Sequence, residues 1–270
     1  MTEEPGWVPP GVETRRANAA RVYDYWLGGT HNFLADQDVA RAIAAVEPTA
    51  PLIGRANRAF IGRAVRLLAA NGIRQFLDIG SGIPTQGNVH EIAQQANPAS
   101  RVAYVDIDPV AVAHSKALLE GHENAAIIEA DLREPGQILD HAVTRRLIDP
   151  AQPTGLLLVS ILHFIADAEE PRRIVATLRD ALAPGSYLII SHGTNEDRPG
   201  VADAVEKVYN RSVAMNLHVR SRSEILQFFD GFDVVDPGLV YIPQWRPDPG
   251  ADVPADPSRY GNLVGAGEKA

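Results

Sequence analysis

Apolar positions along this chain first recur with a helical period, then alternate between short strand-like runs and helices. Over residues 53–70, Phe60, Ile61, Ala64, Val65 and Leu68 share one helical face, and Asn71-Gly72 makes a fitting stop. Upstream, Thr14 is placed to cap a helix running through Ala17, Ala20 and Tyr23 to Leu27, which Gly28-Gly29 ends. A second helix covers 36–47, closed by Pro48 and Pro51. Strands are then predicted at 75–79, 101–107, 126–130, 155–161 and 186–191, with helices at 88–95, 109–119, 138–147 and 170–182 between or after them. That alternation belongs to a doubly wound α/β sheet. Further helices are expected at 201–215 and from a Ser221 or Ser223 cap to Phe229. Strands at 232–235 and 239–243 are expected to form an antiparallel edge hairpin. Prolines dominate 246–256, so an extended, partly disordered tail is expected there. The domain reading is an N-terminal arm and helical lid over 1–72, with 1–12 a loose arm. A ligand-binding domain follows over 73–245, then a Pro/Gly-rich tail over 246–270.

The stretch 75–109 carries the chemistry. A buried strand ends at Asp78, a turn follows at Gly80-Ser81-Gly82, and after a helix the next strand ends at Asp106. Glycines in the first turn let backbone approach a ligand, and an acid closing the second strand suits a ribose diol, so the unit reads as a nucleotide-cofactor site. A dinucleotide fingerprint needs a third small residue where this chain has Thr85, after Pro84, and the helix starts late, near Gly87-Asn88. A longer, Pro-stiffened loop fits a zwitterionic amino-acid tail better than a pyrophosphate docked on a helix N-terminus. S-adenosylmethionine is therefore favoured over NAD(P).

Bulk properties narrow the partners. The 270 residues suffice for one sizeable α/β core with a helical appendage. A net charge of −9 and only short basic runs argue against nucleic acid as substrate. Zero cysteines exclude disulfides, thiolate metal sites and cysteine nucleophiles. No carboxylate cluster with octahedral spacing stands out, so no metal is expected. No apolar run of transmembrane length and no hydrophobic signal core appear, which makes the cytoplasm the expected compartment and leaves a membrane partner out.

The segments RVYDYWLGGTHNFLADQ, NRAFIGRAVR, FLDIGSGIPTQGNVHEIAQ, RVAYVDIDPVAVAHSKALL and ADLREP resemble a bacterial family of S-adenosylmethionine-dependent methyltransferases, long catalogued as a domain of unknown function. The likeness runs from about Arg15 to about Pro243. It implies a class I, Rossmann-like methyltransferase fold: a mostly parallel, seven-stranded sheet with an N-terminal helical lid. On that reading Gly80, Ser81 and Gly82 line the methionyl tail and Asp78 serves its ammonium. Either Asp106 or Asp108 could face the ribose; the family pattern favours Asp106, beside Ile107, and leaves Asp108 to cap the next helix. Asp131 and Leu132 serve the adenine. Ser160 stands at the mouth, and Tyr25 and Arg58 come from the lid, Arg58 with Asn57 for the carboxylate. His163, His192 and Tyr23 are the candidate bases for a small-molecule O or N acceptor. Two other readings remain: a non-catalytic S-adenosylmethionine sensor, and an NAD(P)-dependent oxidoreductase, against which the absence of a Tyr-x-x-x-Lys pair also counts.

Overall fold

The structure, a computed structural model, describes residues 8–84, 87–213 and 215–270. Among these, eight strands form one sheet: β1 (Gln75–Ile79), β2 (Arg101–Asp106), β3 (Ala125–Glu129), β4 (Gly155–Val159), β5 (Tyr187–Gly193), β6 (Asp233–Val234), β7 (Val240–Tyr241) and β8 (Asn262–Glu268). The order is β3-β2-β1-β4-β5-β8-β6, with β7 also on β8. β1 to β5 pair in parallel, and β8 runs antiparallel to β5. The chain builds outward from β1 to β3 and then crosses back to β4, so the sheet reverses order between β1 and β4. Crevices at such a reversal bind ligands outside the carboxyl ends of the strands.

Alternation along the buried strands feeds two cores. Phe76, Val102, Leu157 and Ile189 meet α3 (Ala50–Ala70), α4 (Val89–Ala96) and α5 (Pro109–Leu118) on one face. Leu77, Ala103, Leu156 and Leu188 meet α6 (Pro135–Asp140), α7 (Ala142–Leu147), α8 (Pro171–Asp180) and α10 (Arg222–Leu226) on the other. A third cluster joins α1 (Ala19–Trp26), α2 (Leu34–Val46) and α9 (Pro199–Ser212) over the strand ends. The expected N-terminal lid is present, and α9, from beyond β5, is part of it. Arg21, almost fully buried, pairs with Asp36 inside the lid (3.5 Å) and with Asp108 after β2 (3.7 Å), and the second pair ties the lid to the sheet.

Several expectations need correction. Among the described residues the sheet has eight strands, one more than expected. β6 and β7 do not pair as a hairpin; they lie along the free edge of β8. The residues read as a tail supply β8 itself, in register with β5 from Tyr187↔Glu268 to Gly193↔Asn262. Asn18, not Thr14, caps α1, its Oδ1 accepting from Ala20 N–H at 2.8 Å, because Ala17 is held extended by a bridge to Val213. The helix expected over 138–147 breaks at His141, whose Nδ1 accepts from Val143 N–H and caps α7. Residues 1–7 of the expected arm lie outside the described residues, as does Thr85.

Candidate active site

A cavity of about 240 Å³ opens over the carboxyl ends of β1, β2, β4 and β5, roofed by α1, α3 and α9. Asp78, Gly80, Ser81, Gly82, Asp106, Ile107, Asp131, Leu132, Ser160 and Arg58 all line it. Sequence position explains the convergence: each lies at or just past the carboxyl end of a parallel strand, except Arg58, which α3 brings across from the lid.

The turn after β1 is built for close approach. Gly80 has φ +75°, and a Cβ there would lie 2.7 Å from Ile161 Cγ1. Gly82 has φ +68°, but its Cβ would point into open space. Asp106 fixes the turn: its Oδ2 accepts from Gly82 N–H at 2.7 Å and its Oδ1 from Asp108 N–H at 2.8 Å. Asp108 is the helix cap, accepting from Val110 and Ala111 N–H at 2.7 and 3.1 Å. The next helix starts at Val89, capped by Asn88, well past the turn.

Burial dominates the electrostatics. It pushes Asp78 up to about 7, with Arg58 pulling down and Asp106 pushing further up. It pushes Asp106 up to about 6 against the hydrogen bonds from Asp108 and Gly82. No hydrogen bond among the described residues reaches the Asp78 carboxylate, while Arg58 Nε, Asn57 Oδ1 and Ser81 Oγ are buried with no partner. Native proteins rarely leave such groups unpaired, so a polar ligand belongs here. A zwitterion fits this donor set: a carboxylate for Arg58, an ammonium for Asp78 and Asn57. Among the described residues Arg58 otherwise hydrogen-bonds the Ile83 carbonyl alone, through Nη2 at 3.3 Å.

At the β4 exit Ser160 holds φ +56°, a strained value for a residue with a side chain. Its N–H donates to the Ser191 carbonyl and its Oγ lies 3.0 Å from Ser191 Oγ. Asp131 sits after β3, where Arg133 pairs with it at 3.1 Å and with Glu169 at 2.6 Å.

Of four further expected residues, Tyr23 and His163 line the cavity and Tyr25 and His192 do not. Tyr25 is outside the cavity; its hydroxyl accepts from Arg41 at 3.3 Å. Two positions on a helix point about 200° apart, and it is Tyr23 that turns inward. The Tyr23 hydroxyl donates to the Gly54 carbonyl at 2.8 Å and accepts from Asn57 Nδ2 at 3.2 Å, and burial raises its pKa. His192 is fully buried outside the cavity, Nδ1 donating to the Gly193 carbonyl and Nε2 accepting from Arg220 at 2.9 Å. His163 does line the cavity, but burial holds it down to about 3, and its Nδ1 already accepts from Gly193 N–H at 3.3 Å. None of the three candidate bases offers a free lone pair of ordinary basicity to a substrate proton.

The motif aromatics otherwise serve the lid. Asp24 is buried and accepts from His31 N–H and Asn32 Nδ2, folding the loop after α1. What sequence reasoning missed is the wall from α9: Val201, Ala202, Val205 and Tyr209. No sequence signal finds it: that Tyr209 alone is buried in that helix is known only from the fold.

Comparison with known proteins agrees with this geometry. A family described as S-adenosyl methyltransferase matches residues 5–270. A putative methyltransferase from Thermobifida fusca YX is 39% identical, with a TM-score of 0.92 over 98% of this chain and 99% of that one. A DUF574 family protein from Streptomyces avermitilis MA-4680 is 38% identical, with a TM-score of 0.91 over 95% and 99%. An O-methyltransferase family protein from Burkholderia thailandensis, 14% identical, shares the fold with a TM-score of 0.53 over 92% of this chain and 64% of that one. No curated protein matches the chain. A reversed parallel sheet, a glycine turn closed by Asp106 and a cavity of unpaired groups suited to a zwitterion thus coincide with the family match, and the chain belongs to the S-adenosyl methyltransferase family, whose cofactor is S-adenosylmethionine.

Proposed function

We propose that this methyltransferase alkylates a small-molecule acceptor at oxygen or nitrogen, and that its cavity holds the cofactor with the amino-acid end on the glycine turn. The carrying observation is the set of buried, unpartnered groups at that end, Arg58 Nε, Asn57 Oδ1 and Ser81 Oγ, beside the Asp78 carboxylate that lines the same cavity. Arg58 binds the carboxylate and Asp78 the ammonium. Asp106, anchored on both oxygens by backbone N–H groups, keeps spare lone pairs for the ribose hydroxyls. Ile107 and Leu132 bracket the adenine, and Asp131 accepts from its amine. The bound cofactor supplies an activated sulfonium methyl: the S–CH3 bond breaks as the O–CH3 or N–CH3 bond forms, and the acceptor proton leaves to water or buffer. The protein contributes alignment and exclusion of water. With every candidate base committed elsewhere, an acceptor that reacts as the neutral molecule, without prior loss of its proton to an enzyme base, suits the site. The net charge of −9 supports a substrate other than nucleic acid. No helix among the described residues is long and apolar enough to cross a membrane, and a cytoplasmic setting goes with this reading.

Calorimetric titration with S-adenosylmethionine and with NADH tests the cofactor assignment, with saturable binding expected for the first alone. Release of S-adenosylhomocysteine against a panel of phenols and amines tests transfer, and binding without turnover across the panel would favour a sensor. Replacing Arg58 by Ala removes a charge-assisted contact, so cofactor affinity is expected to fall by roughly 10- to 100-fold; unchanged affinity removes Arg58 from the site. The two glycines separate packing from binding. Gly80→Ala adds a clash with Ile161 to a left-handed backbone, so a stability loss of about 2 kcal/mol or more is expected in thermal melts. Gly82→Ala meets no protein atom, so it costs only about 1 kcal/mol of stability, and its main effect falls on cofactor affinity.

A further inference from the structure

Part of the cavity lining is left over once the cofactor groups are assigned. It lies between α9 and the segments after β4 and α9, walled by Val201, Ala202, Val205, Phe164 and Leu217. The charged groups on this side are Arg198 and Glu47, and they pair with each other at 2.7 Å. Helix α9 turns Val201 and Ala202 to the cavity half-exposed, while Val205 lines the cavity and also packs against the third core cluster. Within this apolar wall Tyr209 is 5% exposed, and its hydroxyl has no hydrogen-bond partner among the described residues. A hydroxyl left without a protein partner on a cavity wall is free to bond a polar atom of the occupant.

We infer that this chamber is the acceptor subsite and takes a neutral, predominantly apolar molecule carrying one hydrogen-bonding group, which the Tyr209 hydroxyl orients. The inference rests on the methyl-transfer reading for the location of the donor, and it adds the chemical class of the acceptor. An anionic acceptor finds no unpaired cation on this side, and a cationic one no unpaired carboxylate. Tyr209 acts as a positioning residue. Its removal is therefore not expected to weaken the fold, since Phe keeps the ring against Phe164 and loses no intramolecular bond.

The test uses the full chain saturated with S-adenosylhomocysteine and three probes of one ring system: 2-naphthol, naphthalene and 2-naphthoate. At neutral pH, 2-naphthol is expected to bind at one site at least about 10-fold more tightly than 2-naphthoate, whose charge is left unpaired. Tyr209→Phe is expected to weaken 2-naphthol by about 3- to 10-fold, the worth of one neutral hydrogen bond, and to leave naphthalene and the melting temperature unchanged. Val205→Trp, which fills the chamber, is expected to abolish binding of all three probes while S-adenosylhomocysteine still binds. The inference is overturned if 2-naphthol fails to bind, if 2-naphthoate matches it, or if Tyr209→Phe affects naphthalene and 2-naphthol alike. It is equally overturned if Val205→Trp leaves the probes bound. Failure of S-adenosylhomocysteine to bind the unmodified chain would instead sink the cofactor placement, so the two failures are distinct.

Discussion

A chain ending at Gly261 is expected not to fold cooperatively. Removing 262–270 deletes β8, which fills the space between β5 on one side and β6 and β7 on the other. Seven registered positions of β5, from Tyr187 to Gly193, lose their neighbour and become an open edge. Leu263, Val264 and Ala266 are fully buried, and burial of a Leu or Val side chain is worth about 1.5–3 kcal/mol each. Phe229, Phe232 and Trp245, which pack in the cores that β8 completes, would be uncovered as well. Against a typical total stability of about 5–15 kcal/mol, these losses together are decisive. Circular dichroism melts and gel filtration read the outcome: a broad, non-cooperative transition and aggregation are expected. A truncated chain that melts sharply near the full-length temperature would mean that β8 is dispensable.

The same strand marks where sequence legibility ends. The pattern NLVGAGE looks like tail because its glycines break the apolar run. Those small residues are set by contacts that no local pattern reveals: a Cβ at Gly267 would come within 2.9 Å of both Phe229 and Phe232. β1 through β5 were readable for the opposite reason. Each is a buried parallel strand with a continuous apolar run, flanked by helices that carry their own periodicity and stops. Sequence could not separate β6 and β7 from a hairpin, since two short apolar runs around Asp236-Pro237-Gly238 carry the hairpin signal whatever strand lies beside them.

The site divides along the same line. Asp78, the glycine turn, Asp106 and Asp131 were legible because the ends of parallel strands converge by topology alone. Side chains delivered by other elements were legible only in part. Arg58 reaches the cavity from α3, but the choice between Tyr23 and Tyr25 depends on how α1 is rotated, and no spacing fixed that. His192 ends β5 like a site residue, yet it spends both ring nitrogens on Gly193 and Arg220. The wall from α9 depends on a long-range placement, the lid meeting a helix some 150 positions further along, and so lay beyond reach.

Cofactor affinity is expected to rise with pH up to about 7, and Asp78 is the reason. Burial lifts its carboxyl from 3.8 to about 7, so the ligand-free site holds a proton that an incoming ammonium must displace. With a site pKa near 7, the ionised fraction grows by about 25-fold between pH 5.5 and 7.5, and affinity should follow it. Titration calorimetry should show proton release on binding in that window, and Asp78→Asn should leave affinity weak and flat with pH. Stability of the ligand-free protein carries the opposite sign for this group. A folded pKa above the unfolded one means that the native state binds more protons between about pH 4 and 7, so the Asp78 contribution declines as pH rises through that range, by about 4 kcal/mol in all. Asp106, lifted to about 6, has the same sign. His163 and His192 oppose it: their folded pKa values are depressed, so the unfolded chain takes up protons first and stability rises with pH through their window, up to about 6.5. The total profile therefore mixes the two trends, and the informative quantity is the difference between the wild type and Asp78→Asn. That difference should favour the variant increasingly from pH 4 to 7 and level off above. A difference that is constant with pH, or cofactor affinity that falls as pH rises, would show that Asp78 is ionised without the ligand and that its burial is not what the cofactor relieves.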